Sequence, residues 1–261
     1  MFDDGPDRGG PSSLRGWLSD VYLPALLDGS LDALVRRLGA RASVDDPIFG
    51  RASGLPALDR YVNDMSAWLL EREGKFERLA FTTGVDRDVT EGQLELTIEK
   101  RRVGIPIAVV AERRRSREID LRLYYSTSPL KGTAAIRSPL VAENNALPLP
   151  IPVRDHLDAL RRGSVTDILQ GFETDGEVRE ASGATHPKSG DLKAFYEKLF
   201  ATGGAEIILG GAADDGRTCA LEYTLVKLKG RAVPPQAGLA VYERGDSGLL
   251  RSVRVYEDLV A

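Results

Sequence analysis

The first group in this sequence placed to do chemistry is a carboxylate at the end of an apolar strand. Residues 44–54 read Val-Asp-Asp-Pro-Ile-Phe-Gly-Arg-Ala-Ser-Gly. Asp46 follows an apolar lead and precedes a proline and a Phe-Gly turn, so it has aliphatic and aromatic neighbours. Such a setting penalises the ionised form, raises the carboxyl pKa and makes a general base. The competing reading is an Asp whose side chain only closes a turn.

Other chemistries find no support. His156 and His186 have no metal-ligand spacing, so no metal is expected. There is no phosphate loop and no dinucleotide fingerprint, so no cofactor is expected. Gly245-Asp-Ser-Gly248 resembles a serine-protease string, but it bridges two strands with no triad histidine and reads as a turn. Cys219 begins an apolar strand and reads as core. One cysteine permits no internal disulfide, which fits a reducing compartment.

The net charge of −4 gives no sequence-wide reason to expect nucleic acid or a membrane as partner. The basic strings at residues 100–102 and 113–117 fall at successive hairpin turns, at opposite ends of a sheet, and read as solvated loops. No run approaches the ~20 apolar residues of a membrane span. A soluble, cytoplasmic protein is expected. Residues 1–13 lack the apolar core of a signal peptide and are expected to form a disordered tail.

A chain of 261 residues suggests about two domains at ~150 residues each. Residues 17–27 predict a first helix, which Pro24 should kink or shorten. Leu31, Leu34, Val35 and Leu38, then Leu58, Tyr61, Val62 and Met65, follow the spacing of helix faces. Residues 93–100 alternate like a half-buried strand. Val103-Gly104 is expected to turn the chain into a second strand at 105–111, and a polar Arg-rich turn to lead to a third at 119–126. Helices first and an antiparallel meander after make an α+β fold. Residues 129–153 are proline-rich and aperiodic and read as a linker.

After the linker the first half recurs. A shift of 134 takes Leu31, Leu34, Val35 and Leu38 to Val165, Ile168, Leu169 and Phe172. The same shift takes Val44 to Val178, Asp46 to Glu180, and Leu58, Tyr61, Val62 and Met65 to Leu192, Phe195, Tyr196 and Leu199. In the strands the offset changes: Leu94 is matched with Leu221, Ala108 with Ala240, and Leu121 with Val253. Helix faces, turns and strand pairs kept in one order indicate an internal duplication of a whole domain.

The order of helices, Asp-Pro-x-Phe-Gly turn and long meander resembles the nuclear transport factor 2-like superfamily. Within it the resemblance is to the SnoaL-like polyketide cyclase and ketosteroid isomerase branch. It covers residues 14–128 and 154–261, and is carried by the Val44–Gly50 motif and the closing Arg122-Leu-Tyr-Tyr125 and Arg254-Val-Tyr-Glu257. It implies two tandem cone-shaped domains, each a curved antiparallel sheet wrapped around N-terminal helices, with an apolar pocket at the open end. The two copies would make an intramolecular pseudo-dimer.

In the isomerase pattern the Asp of the Asp-Pro step is the base, which is Asp46 here. A Tyr on the first helix, matched by Tyr22, would donate a hydrogen bond to an enolate. A protonated Asp on the middle strand falls on Ala108, so half of that oxyanion hole is missing. In the second copy His156 takes the Tyr place, Glu180 the Asp place and Ala240 the middle-strand place. His156 and Glu180 are a second candidate acid–base pair, with an exposed salt bridge as the competing reading. Phe49, Tyr61, Met65, Trp68, Phe81 and Ala108 are candidates to line the first pocket, with core packing as the competing role.

The resemblance implies binding of a small, mostly apolar molecule. An enzyme of this kind would isomerise or cyclise a carbonyl compound, such as a polyketide or steroid, without a cofactor. Epoxide hydrolysis is a related option, but its Asp–Arg–Asp relay cannot be assigned. The rival is a non-catalytic binding or assembly module.

Overall fold

The computed structural model describes residues 17–39, 41–114, 118–133 and 135–258. The tail expected at residues 1–13 lies outside them. Helix α1 (Trp17–Leu27) continues past Pro24 instead of ending there. Proline removes one intrahelical bond, and burial of Leu23 and Leu26 on the same helix offsets that loss. Helix α2 (Leu31–Leu38) buries Leu34 and Leu38. Helix α3 (Leu55–Glu71) buries Leu58, Tyr61, Val62, Met65 and Leu69, the i, i+3, i+4 face that the sequence predicts.

The first sheet holds β1 (Ser43–Asp46), β2 (Gly50–Ser53), β3 (Lys75–Thr83), β4 (Arg87–Ile98), β5 (Arg101–Arg113) and β6 (Ile119–Tyr124). Its order is β2-β1-β6-β5-β4-β3. The expected all-antiparallel sheet is corrected at one place. Strand β1 lies parallel to β6, with Val44 opposite Leu121, so the sheet is mixed. The turn expected at Val103-Gly104 lies at Glu99-Lys100, both at positive φ, and residues 103–104 belong to β5.

The second half repeats this plan. After α4 (Ser128–Lys131), residues 132–150 hold no helix or strand among those described. Then come α5 (Ile151–Arg162), α6 (Val165–Gln170), β7 (Phe172–Arg179), β8 (Thr185–Pro187), α7 (Leu192–Leu199), β9 (Glu206–Asp214), β10 (Thr218–Leu228), β11 (Arg231–Arg244) and β12 (Leu250–Glu257). The sheet order β8-β7-β12-β11-β10-β9 is the same as the first, strand for strand.

Strand pairing corrects part of the proposed alignment. Val178 stands opposite Val253 as Val44 stands opposite Leu121, which fits the shift of 134 at the first strand. But Tyr124 lies opposite Ala108 and Tyr256 opposite Leu239. Ala108 therefore corresponds to Leu239, not Ala240. Glu91, opposite Ala108, corresponds to Glu222, opposite Leu239. Leu94 then matches Leu225, four residues from the assigned Leu221. A strand has period two, so a slip of four keeps every side chain on its face and leaves the alternation unchanged.

The run Ile105–Ala111 is buried at every residue, a mark of a strand covered on both faces. Ile105, Ile107, Val109 and Ala111 face the core under their own helices. Ala108 and Val110 join Val89 and Tyr124 in a cluster with Ala213, Ala220, Ala237, Leu239, Val241 and Tyr256 of the other sheet.

Two buried glutamates cross this contact. Glu222 accepts from Arg122 Nε and Nη2 at 2.6 and 2.8 Å, from Arg87 at 2.7 Å and from the Tyr124 hydroxyl at 2.7 Å. Glu91 accepts from Arg254 Nε and Nη2 at 2.7 and 2.9 Å and from the Tyr256 hydroxyl at 2.7 Å. Burial pushes the Glu222 carboxyl up, but the charge and hydrogen bonds of Arg122, then Arg87, outweigh it and hold it below its usual range. At Gly211 an added Cβ would strike the Arg87 guanidinium, so a side chain there would have to displace that arginine from Glu222.

Removing one partner of a buried ion pair costs about 3–5 kcal/mol, and an exposed pair is worth under about 1 kcal/mol. Glu222→Ala should therefore lower unfolding free energy by about 3–5 kcal/mol in urea titrations. Asp158→Ala, which breaks the exposed Asp158–Arg161 pair, should change it by less than about 1 kcal/mol. Equal effects would remove the network from its structural role.

Candidate acid–base site in the first half

Asp46 ends β1 and is only 2 % exposed. The Pro-Ile-Phe turn that follows wraps its backbone around the carboxylate. Oδ1 accepts from the backbone N–H of Ile48 at 2.7 Å and of Phe49 at 2.9 Å. It also accepts from the Tyr125 hydroxyl at 3.0 Å. Oδ2 accepts from the Tyr61 hydroxyl at 3.2 Å. Tyr61 in turn lies 2.5 Å from the Tyr22 hydroxyl on α1. Since Tyr61 gives its proton to Asp46, the Tyr22 hydroxyl donates to Tyr61.

Burial pushes the Asp46 carboxyl above its ordinary value. Hydrogen bonds from Phe49, Ile48 and Tyr125, and the charge of Arg137, resist without winning. The same burial, with the Asp46 charge next, drives Tyr22, Tyr61 and Tyr125 well above the normal phenol range. The cluster is one buried, mostly neutral proton network around a single carboxyl.

Tyr22 and Asp46 thus belong to one network, joined through Tyr61. Tyr61, expected as pocket lining, is the bridge between them. Tyr125 was missed as a site residue; its signal was the repeated tyrosine that closes β6. Phe49 meets Tyr61 edge-on at 5.9 Å and Trp68 at 6.1 Å, and both Phe49 and Trp68 are partly exposed. Met65 is fully buried in the core. Phe81 stands on β3 opposite Thr90, partly exposed. Ala108 is corrected: it faces the second sheet, because the alternation that turns Ile107 and Val109 inward turns it out.

The pair proposed for the second half does not come together. His156 is buried among Phe172, Tyr196 and Tyr242, whose rings stand at steep angles to it. Its Nδ1 has no hydrogen-bond partner, and burial lowers its pKa to about 3. Glu180 bonds His186 Nε2 at 2.6 Å instead. His186 Nδ1 reaches Asp191 at 2.9 Å, and the ring stacks on Phe195 at 4.4 Å. Burial lowers the His186 pKa, but bonds to Asp191 and Glu180 carry it above the usual value. The missed partner was signalled by the short hairpin that folds 186 back onto 180. Cys219 is buried in the second core. Among the described residues no group of three His, Cys, Asp or Glu could hold a metal. No described helix is long and apolar enough to cross a membrane.

No protein-family model matches the sequence, and no curated protein does. The similar solved structures each cover less than half of this chain. The epoxide hydrolase/cyclase-like enzyme SalBIII matches 43 % of this chain and 91 % of its own, with 20 % identity and a TM-score of 0.36. A putative polyketide cyclase from Xanthomonas campestris matches 44 % and 92 %, with 16 % identity and a TM-score of 0.37. A protein of ketosteroid isomerase-like fold from Catenulispora acidiphila matches 43 % and 88 %, with 18 % identity and a TM-score of 0.35. The structure itself shows two tandem α+β units, each a six-stranded mixed sheet with helices before it.

The Tyr125 bond stabilises the ionised form of Asp46, so Tyr125→Phe should raise the Asp46 pKa further. Carboxyl carbon shifts followed by NMR across pH would read it, and an unchanged or lowered value would contradict the assignment. His156 gives a separate prediction. Its folded pKa of about 3 lies below the ordinary 6.5, so the unfolded chain binds the proton first. Stability is full above about pH 6.5 and is lost as pH falls towards 3, at about 1.4 kcal/mol per unit. Denaturant titrations should show that His156→Leu flattens this slope relative to wild type.

Proposed function

We propose that the first half binds a small, mostly apolar carbonyl compound and moves a proton next to its carbonyl, with Asp46 as base. The observation that carries this is the burial of Asp46 with three tyrosines on one hydrogen-bonded network. Three donors occupy Oδ1 and one occupies Oδ2, so Oδ2 keeps the free electron pair. In the reaction Oδ2 takes the proton, the C–H electron pair becomes the enolate double bond, and the negative charge moves to the carbonyl oxygen. As Oδ2 takes the proton, the Tyr61 hydroxyl turns from Oδ2 to donate to that oxygen, while Tyr22 goes on donating to Tyr61. Returning the proton to another carbon gives an isomerisation; attack of the enolate on a second carbonyl gives an aldol closure. Phe49, beside Tyr61, and Trp68, beside Phe49, are the apolar side chains that would shelter the substrate.

The second half supports a different reading for itself, as a binding or assembly module. Phe195 stands at the place of Tyr61, and His156 and Glu180 lie in separate surroundings. Full burial of Tyr22 and Met65 supports the same non-catalytic reading of the first half. An epoxide relay gains no support, since Arg137 pairs with Asp45 and tyrosines surround Asp46.

Proton exchange tests the proposal. A panel of cyclic ketones and β-diketones in heavy water, followed by NMR, should lose α-protons faster with wild type. Asp46→Asn should abolish this, and general acid–base contributions of 10²–10⁴ set the scale of the loss. Tyr22→Phe should slow it and weaken binding of phenolic enolate mimics. No exchange across the panel, or exchange indifferent to Asp46→Asn, would leave the binding-module reading in its place.

A further inference from the structure

We propose that the cleft where the two sheets meet the linker is a second small-molecule site, which takes a small organic cation anchored on Glu257. The cleft has a volume of about 210 Å³. Asp46, Pro47 and Tyr125 form one wall, Ile136 and Arg137 of the linker a second, and Ala237 and Glu257 a third.

The charges around it do not balance. Arg137 is the one cation of the lining, and it is already committed. It donates to the Asp45 side chain at 3.1 Å and the Asp45 carbonyl at 2.8 Å, bonds the Leu123 carbonyl, and lies over the Tyr124 ring. Asp258 is saturated by Ser126, Thr127 and the backbone N–H of Ala135. Asp46 has the four donors described above. Glu257 differs from all of these. Its Oε2 accepts the Tyr223 hydroxyl at 2.6 Å, and among the described residues no cation forms an ion pair with it.

Glu91 and Glu222, the carboxylates buried between the two sheets, each receive an arginine from the opposite sheet. At Glu257 burial wins over the single Tyr223 bond and lifts the carboxyl to about 7. An ammonium in the cleft would supply the counter-charge that this carboxyl lacks. Pro47, Ile136 and Ala237 would cover the alkyl part. An anionic ligand would meet four lining carboxyl groups against one spent arginine.

The site shares a wall with the proposed proton-transfer centre but does not depend on it. Choline and its uncharged carbon isostere, 3,3-dimethylbutan-1-ol, are the probes. Calorimetry at about one pH unit above the Glu257 value of about 7 keeps the carboxylate ionised. Choline should bind wild type at least about tenfold more tightly than the isostere, a difference of about 1.4 kcal/mol. Glu257→Gln should remove that preference while still accepting the Tyr223 hydroxyl, and an unchanged melting profile would verify its fold. Ala237→Leu should fill the cleft and weaken both probes. Tyr22→Phe, at a residue outside the cleft, should slow proton exchange yet leave choline on Glu257, which separates the two proposals. No binding of choline, equal binding of the isostere, or indifference to Glu257→Gln would overturn the assignment.

Discussion

Each sheet buries a glutamate that only the other sheet can neutralise. Glu91 depends on Arg254 and Tyr256, and Glu222 on Arg122, Arg87 and Tyr124. An unpaired buried carboxylate costs several kcal/mol, so drawing the sheets apart leaves two penalties at once. The surrounding contact is apolar and sets no direction by itself. The paired charges fix which strand lies over which, and alternation then carries that order inward. Arg122 and Tyr124 point across the contact, so Leu121, Leu123 and Tyr125 must point under the helices. Clamping Tyr124 on Glu222 therefore also aims Tyr125 at Asp46.

Duplication preserved the frame and released the chemistry. The two sheets share one strand order and one parallel pairing. The places that form a proton network in the first half hold other groups in the second. Histidine replaces Tyr22, phenylalanine replaces Tyr61, glutamate replaces Asp46, and Glu257 follows β12's Tyr256 as Tyr125 follows Tyr124. The phenylalanine cannot carry a proton from the first helix to the acid. Glu180 is correspondingly drawn to His186, and His156 keeps an unpaired nitrogen in an aromatic box. What the duplication preserves is the set of contacts that bury surface; what it varies is the set that could bind or react.

The sequence made the helix faces and the repeat legible because both rest on periodicity. Leu58, Tyr61, Val62 and Met65 fall on the buried face of α3 as their spacing predicts. The continuous run in β5 held a further message, that the strand is covered twice, and Ala108 was misplaced because only one cover was considered. The strand register was not legible, since a slip of four residues leaves an alternating pattern unchanged. The turn misplaced at Gly104 shows a related limit. Glu99 and Lys100 adopt positive φ without being glycine, so residue type did not mark the bend. In the site, Asp46 could be found from its neighbours in the chain, whereas Tyr125 and Tyr61 reach it from distant elements.

Closing a turn and taking a proton stood as rival roles for Asp46, and they fall on different oxygens. Oδ1 accepts the two backbone N–H groups of the turn and the Tyr125 hydroxyl, which fixes the carboxyl plane. Oδ2 meets only the Tyr61 hydroxyl, at the longest distance in the set. A base needs both properties, since a freely rotating carboxylate loses its aim and a fully saturated one loses its basicity. Burial raises proton affinity, the turn bonds lower it, and the net balance stays above the ordinary value. The turn is thus what makes a proton transfer at Oδ2 geometrically defined, and the proposed chemistry needs the structural role rather than competing with it.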